Sequence, residues 1–382
     1  MSFFLTDEHE MVQEMVHDFA HNEIAPVAKE NDEKQRFPKE IFEQLAEMNL
    51  MGITIPEEYN GAGMDTTSYV IAVEELARVC GGTALSYAAH VSLGTTPIYL
   101  FGNDEQKEKY LKRAASGEIF GSFGLTEPGA GSDAGATKTT AVQDGDYYII
   151  NGTKLFITNA EVAEYVIVTA VTSPEKGSRG ITAFIVETGT EGYTISKKED
   201  KLGMRCSPTN ELSFSNCRVH KSQILGEVDK GFSQFLETLD GGRISIGALA
   251  LGIAQGALDK AAKYANEREQ FGKSIGSFQA IQQMLADMAT GIHASRLMLF
   301  HAARLKDAGK PFKQEAAMAK LYASEMAMKA CKDAIQIHGG YGYTKEYDVE
   351  RYYRDAKLCE VGEGTSEVQR LVIARQILQQ YA

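Results

Sequence analysis

The chain has 382 residues, of which 43% are hydrophobic and 24% charged. This composition excludes disordered and fibrous classes and leaves room for two or three domains or one large layered one. The net charge of −13 argues against nucleic acid or an anionic membrane surface as main partner; an anionic ligand needs a local basic or helix-N-terminal site. Five scattered cysteines without a CxxC pair fit a reducing compartment. Eight histidines without an HExxH motif predict no metal.

From Asp7 to about Gly117, apolar residues recur at helical spacing. Met11, Val12, Met15, Val16 and Phe19 form one stripe. Ile41, Phe42, Leu45 and Met48 form another, and Tyr69, Val70, Ala72, Val73 and Leu76 a third. Breakers fall at Pro38, at Pro56 to Gly63 and at Gly81–Gly82. Asp7 and Glu10 have capping-box spacing. The early acids and this helix start predict neither a secretory signal nor a transit peptide, hence a cytoplasmic or already processed protein. No apolar run approaches the ~18 residues of a membrane span.

From about Glu118 the pattern turns to short β-type runs: 119–125, 138–143, 147–151, 165–170, 182–186 and 211–219. Asp144-Gly145 and Asn151-Gly152 are hairpin-type dipeptides. A small antiparallel barrel or pair of sheets is expected. From Gly231 helical spacing returns over 232–265, 278–308 and 312–337, with a last run after Ser366, which with Gln369 matches a capping box. Such lengths predict a helix bundle.

Several stretches carry candidate chemistry. In FGLTEPGAGSDAG, Phe123 to Gly135, the glycines Gly129, Gly131 and Gly135 and the Ser132 hydroxyl suit phosphate binding. The spacing departs from the Rossmann fingerprint, and a hairpin pattern follows in place of a helix; a nucleotide loop in a β-domain and a wide turn are equal readings. In KLFITN, Phe156 and Thr158 share a strand face, which suits a wall for a flat heterocycle as well as a strand core. In LDGGRIS, Arg243 either holds a carboxylate or phosphate or pairs with a nearby acid. REQFGKSIGSFQAIQ places Arg268, Lys273 and Gln279 around Phe271. QIHGGYGYTKEY ends a helix with more glycines than a C-cap needs, and His338 receives no role. In EVGEGTSEVQ, Glu363 stands between two glycines just ahead of a helix start. That suits a carboxylate pushed into a cavity with something lying against the backbone; the alternative is a solvated loop.

These motifs occur in the order and spacing of the acyl-CoA dehydrogenase family, and the resemblance runs over essentially the whole chain. It is most similar to short-chain, butyryl-type members. The resemblance implies an N-terminal helical domain (1–117), a middle antiparallel β-domain (118–229) and a C-terminal four-helix bundle domain (230–382). It implies FAD, an acyl-CoA thioester substrate, a homotetramer and reoxidation by an electron-transfer flavoprotein. The implied reaction is α,β-dehydrogenation to the trans-2-enoyl-CoA, with Glu363 removing the α-proton and flavin N5 taking the β-hydride.

Residue by residue, Phe123, Leu125, Thr126, Gly131 and Ser132 match positions along the flavin and its pyrophosphate. Phe156, Ile157 and Thr158 match positions over the isoalloxazine ring. Arg268, Gln270, Phe271, Gln279, Gln336, Gly339 and Gly340 match positions that reach the FAD of a neighbouring subunit. Thr365 and Glu367 match further FAD contacts. Ser132, Asp240 and Arg243 match positions that hold CoA, and the Gly364 N–H matches a donor to the thioester oxygen.

Some relatives carry the base near residue 242, which is Gly242 here. Many have Tyr before the base where this chain has Gly362. The missing side chain predicts extra room in the acyl pocket and tolerance of branched or longer chains. A branched- or medium-chain dehydrogenase and an acyl-CoA oxidase of the same fold are the alternatives; a non-catalytic scaffold is disfavoured by the presence of Glu363, Thr158 and Ser132.

Overall fold

The computed structural model describes residues 5–382. Met1 to Phe4 lie outside the described residues.

The first region is helical: α1 (Asp7–Phe19), α2 (Ala25–Lys34), α3 (Lys39–Glu47), α4 (Thr66–Val79), α5 (Gly81–Ala89), α6 (Thr96–Phe101), α7 (Asp104–Gln106) and α8 (Lys112–Ala115). Thr6, not Asp7, caps α1: its hydroxyl accepts the His9 N–H, and the His9 ring answers to the Thr6 N–H. Imidazole here replaces the Glu or Gln that the capping-box pattern leads one to seek. Val12 and Val16 enter the core, whereas Met11 and Met15 face out, so the buried stripe is narrower than the apolar pattern. Gly81–Gly82 is no loop. The extended backbone of Cys80 alone makes the joint between α4 and α5, because Gly82 must lie against Cys206 Sγ, 2.5 Å from where its Cβ would be.

A mixed, mostly antiparallel sheet follows, ordered β1-β4-β2-β3-β7-β6 with β5 on β4. Its strands are β1 (Phe120–Gly124), β2 (Thr140–Asp144), β3 (Tyr147–Thr158), β4 (Ala163–Val171), β5 (Ile181–Glu187), β6 (Tyr193–Lys198) and β7 (Thr209–His220). Asp144-Gly145 makes the expected β2–β3 turn. Asn151-Gly152 does not turn. β3 runs through it with a register shift against β7, and Gly152 lets the strand pass Thr139 Oγ1, 2.3 Å from its absent Cβ. The strand β6 carries no clear apolar run and was not anticipated. β1 lies parallel to β4. Strands β4 and β5 read as continuous apolar runs because both faces are covered. Val166, Val168, Phe184 and Val186 face the sheet's own core. Tyr165, Ile167, Ala183 and Ile185 face Ile98, Leu111 and Phe235 of the helical regions.

The last region contains α9 (Gly231–Glu267), α10 (Gln279–Asp307), α11 (Lys313–His338), α12 (Val349–Val361) and α13 (Ser366–Gln380), with a small hairpin of β8 (Glu269–Gln270) and β9 (Lys273–Ser274) between α9 and α10. α9 packs on α4, α10, α11 and α12, and α11 also packs on α13. The core is rich in alanine, which lets these helices approach closely: Ala248, Ala250, Ala254 and Ala257 of α9 and Ala316, Ala319, Ala323 and Ala327 of α11 are buried. Gly252 meets the Glu74 carbonyl of α4, 2.2 Å from where a Cβ would stand. α12, between Tyr347 and Glu363, was not read from the sequence.

Candidate active site

Glu363 lies in the turn between α12 and α13. α12 stops at Gly362, whose N–H returns to the Leu358 carbonyl at 2.7 Å. Glu363 then takes φ 52° and Gly364 φ 93°, two consecutive residues in the region that disfavours L side chains. Thr365, not Ser366, caps α13, its hydroxyl accepting the Val368 N–H at 3.3 Å. Gln369 is not a capping-box partner. Its amide turns inward and donates to the Gly364 carbonyl at 2.9 Å and the Glu363 carbonyl at 3.4 Å. Lys320 of α11 donates to the same Gly364 oxygen at 2.7 Å. A Cβ on residue 364 would stand 2.7 Å from the Gln369 amide, so close approach as well as φ requires glycine there.

This turn presses the Glu363 carboxyl onto α9, where Gly242 makes the space: a Cβ at 242 would stand 2.2 Å from Oε2. Oε2 is buried without a hydrogen-bond partner among the described residues. Burial raises the carboxyl to about 7, while Lys320 and then Arg243 draw it down. A buried acid with that value is poised to act as a base near neutrality. The Gly364 N–H has no acceptor among the described residues.

Arg243 is buried and ion-paired with Asp240 one turn earlier, and Lys313 approaches Asp240 at 3.5 Å. The Arg–acid reading of this motif is therefore realised, although Arg243 Nε is buried without a partner among the described residues and the Arg243 charge draws Glu363 down.

A second group gathers where β1 ends. Phe123 stacks on Phe235 of α9 at 3.9 Å, and the loop carrying Leu125 and Thr126 is bound to β3 by Leu155 N–H to Thr126 O at 2.8 Å. Lys154, wholly buried, donates to the Leu125 carbonyl, to Glu127 and to Thr169. Gly131 and Ser132 are exposed, and a Cβ on Gly131 would meet nothing within 4 Å. A bulge in β3 gives Phe156 φ 60° and leaves it 61% exposed. Ile157 between Phe156 and Thr158 enters the sheet core, so it offers only its backbone to a ligand, and its neighbours lie on the opposite face.

A third group surrounds an open cavity of about 810 Å³ lined by Arg268, Gln270, Phe271, Phe278, Gly339 and Gly340 among others. Phe271, at the β8–β9 tip, is 93% exposed. Gln279, at the start of α10, and Gln336, in the last turn of α11, are exposed and do not line this cavity. His338 is buried, stacked on Tyr264 at 4.2 Å, in keeping with a packing role. Glu367 is exposed in the first turn of α13.

Sequence reasoning missed Lys320 and Lys154, and it gave Gln369 a capping role that the structure replaces with contacts to the Glu363 turn. Lys320 had a signal: it interrupts the alanine stripe 316, 319, 323, 327 at a buried position.

Family descriptions for the N-terminal, middle and C-terminal domains of acyl-CoA dehydrogenases match residues 6–118, 122–217 and 229–378. The chain belongs to the acyl-CoA dehydrogenase family. Its members are FAD-dependent oxidoreductases that dehydrogenate acyl-CoA thioesters, and this chain shares that activity. It is 50% identical to the short-chain-specific acyl-CoA dehydrogenase of Clostridium acetobutylicum, over 99% of this chain and 100% of the relative. It is 46% identical to the caffeyl-CoA reductase–Etf complex subunit CarC of Acetobacterium woodii, over 98% and 99%. The solved butyryl-CoA dehydrogenase of Megasphaera elsdenii superposes with TM-score 0.97 at 46% identity, covering 99% of this chain and 100% of that one. The fold class and the FAD-dependent acyl-CoA dehydrogenation implied by the sequence motifs therefore stand.

The residues present fit FAD. Glycines with open space, an exposed aromatic held at positive φ beside a threonine, and an aromatic-lined cavity with an arginine at its rim suit a pyrophosphate and a flat ring.

Proposed function

We propose that Glu363 is the base of a short-chain acyl-CoA dehydrogenation and that Gly364 supplies a donor to the thioester oxygen. The buried, unpartnered Oε2 of Glu363, beside the free N–H of Gly364, carries this reading. FAD, held by the residues named below, would supply the hydride acceptor of the reaction. The protein's part is to hold the α-carbon before Glu363 and to meet the enolate-like charge on the thioester oxygen. Losing one such donor typically costs about 2.7–4 kcal/mol in the barrier. Leu125, Thr126, Gly131, Ser132, Phe156, Thr158, Thr365 and Glu367 would hold the cofactor, and Ser132, Asp240 and Arg243 the CoA portion. Arg268, Gln270, Phe271, Gln279, Gln336, Gly339 and Gly340 would reach the FAD of a second copy in a homotetramer. An electron-transfer flavoprotein would reoxidise the enzyme; the Etf complex named for the Acetobacterium relative supports that partner.

Glu363→Gln is expected to bind FAD and acyl-CoA normally and to lose anaerobic flavin bleaching by at least ~10³-fold. Rapid bleaching of the variant would remove Glu363 from the role. For the native enzyme, kcat/KM should rise with pH through about 7, the value to which burial brings this carboxyl.

The space at Gly362 supports a wider acyl range than butyryl. A Cβ there would approach nothing nearer than the Leu358 carbonyl at 3.3 Å. Bleaching by branched or longer thioesters at rates near that of butyryl-CoA is expected. Restriction to the straight four-carbon chain would overturn it.

A further inference from the structure

We infer that Lys320 is a positioning residue for this reaction: from the middle of α11 its ammonium anchors the Glu363–Gly364 turn and keeps a cation beside the reacting carboxylate. The inference rests on the assignment of Glu363 as base.

Lys320 occupies a place where the helix elsewhere buries alanine. Its relative exposure is 0%, and no carboxylate among the described residues lies within ion-pair distance of it. An ammonium buried without a counter-ion is costly and calls for a compensating use. Among the described residues its one hydrogen bond is to the Gly364 carbonyl, at 2.7 Å. Gln369, also wholly buried, donates to the same oxygen. Two buried donors on one carbonyl fix the peptide plane that follows Gly364. That matters because Glu363 is a non-glycine residue at φ 52°, a conformation that costs roughly 1–2 kcal/mol and persists only where its surroundings hold it. If the turn relaxed, the carboxylate would leave the niche at Gly242 and the Gly364 N–H would change direction.

The charge has a second effect. The titratable groups facing Glu363 are Lys320 from α11, Arg243 from α9, Tyr69 from α4 and Cys359 from α12. Burial pushes the Tyr69 phenol well above its usual range and the Cys359 thiol to about 12, so both stay neutral. Glu360 is the remaining acid near Lys320, and it is engaged by Lys357. Arg243 is already shared with Asp240. Lys320 is therefore the cation near Glu363 without a carboxylate of its own.

Two variants separate the effects. Lys320→Gln keeps an amide donor for the Gly364 carbonyl and removes the charge; Lys320→Met removes both. Each is prepared as the FAD-loaded enzyme. The Glu363 carboxyl is titrated by infrared difference spectroscopy against Glu363→Gln, without turnover, and the pH profile of acyl-CoA-dependent flavin reduction is recorded. In both variants the infrared midpoint and the acid limb should move upward together, by about one pH unit. At high pH, where the carboxylate is formed, Lys320→Gln should recover most of the rate. Lys320→Met should stay ~10- to 100-fold slower, the scale expected of a misplaced group, with KM changed little. An unchanged midpoint and rate in a folded, FAD-loaded Lys320→Gln would overturn the inference, and that variant alone decides if Lys320→Met fails to fold. If Glu363→Gln were itself still reduced rapidly, the function assigned to Glu363 would fall, while the infrared titration would still report whether Lys320 sets its protonation.

Discussion

Gly242 and Glu363 show how one missing Cβ serves the site. In the interior of an exposed helix, Gly→Ala gains roughly 1 kcal/mol of propensity. Gly242→Ala should forfeit that gain, because the new methyl would stand 2.2 Å from Glu363 Oε2 and 3.5 Å from Leu93 Cδ2. The carboxylate is the movable neighbour. The expected outcome is a folded, FAD-containing protein of near-parental stability whose flavin reduction is ~10- to 100-fold slower; an unimpaired rate would show that the niche is not needed. Glu363 itself is a source of instability. Its folded-state value of about 7 lies above the ordinary carboxyl range, so the folded protein retains a proton that the unfolded chain gives up first. Stability from this group is complete below the unfolded-state value, falls as pH rises from about 4.5 to 7, and stays lost above. Glu363→Gln should therefore unfold at a higher temperature than the parent at pH 8, with the difference on the order of 1–3 kcal/mol and shrinking toward pH 4.5. A pH-independent difference in melting curves would contradict this. The sequence exposed Glu363 because glycines flank it. It concealed Lys320 and Gln369, whose roles arise only when α11 and α13 fold back on one turn.

At the scale of elements, Lys154 links the loop after β1 to the strand that carries Phe156 and Thr158. Burial alone would raise the Glu127 carboxyl, but Lys154 and the backbone N–H groups of Lys138 and Thr139 hold it below its usual value. Burial brings Lys154 down to about 8 against the pull of Glu127, and the pair is charged at neutral pH. Breaking such a pair by removing one partner leaves an uncompensated charge, a loss of about 3–5 kcal/mol. Lys154→Met should lower thermal stability by that order and release FAD more readily on dilution, read by flavin fluorescence; full FAD retention would show that the loop needs no such anchor. Periodicity was sufficient for most helices and strands here, since their burial follows one face. It failed where tertiary contacts override local pattern. Asn151-Gly152 has hairpin chemistry, yet β7 pairs across it. β6 is hard to read because it lies at the sheet's edge and buries no residue fully. The bulge that turns Phe156 outward leaves no mark in KLFITN beyond the residues themselves.

For the whole molecule, the face formed by the β8–β9 hairpin and the end of α11 is the region a single chain explains least. Phe271 is 93% exposed and Tyr343 90%, and the adjoining cavity of about 810 Å³ contains Phe278, Ile281 and Ile337. Exposed aromatics around an apolar hollow mark an interaction surface. Arg268 and Lys273 give this face local positive charge on a chain whose net charge is −13, which suits the anionic pyrophosphate of the FAD that the proposed tetramer would bring from a second copy. Periodicity within one sequence carries no sign of such a surface, because a residue that packs on a second copy looks like an ordinary loop aromatic. Light scattering of the purified protein should give a tetramer. Phe271→Asp should weaken association and lower the bound FAD per chain in parallel, whereas Glu363→Gln, remote in role from this face, should change neither. Dissociation with FAD fully retained would separate cofactor binding from assembly and place all the cofactor contacts within one chain.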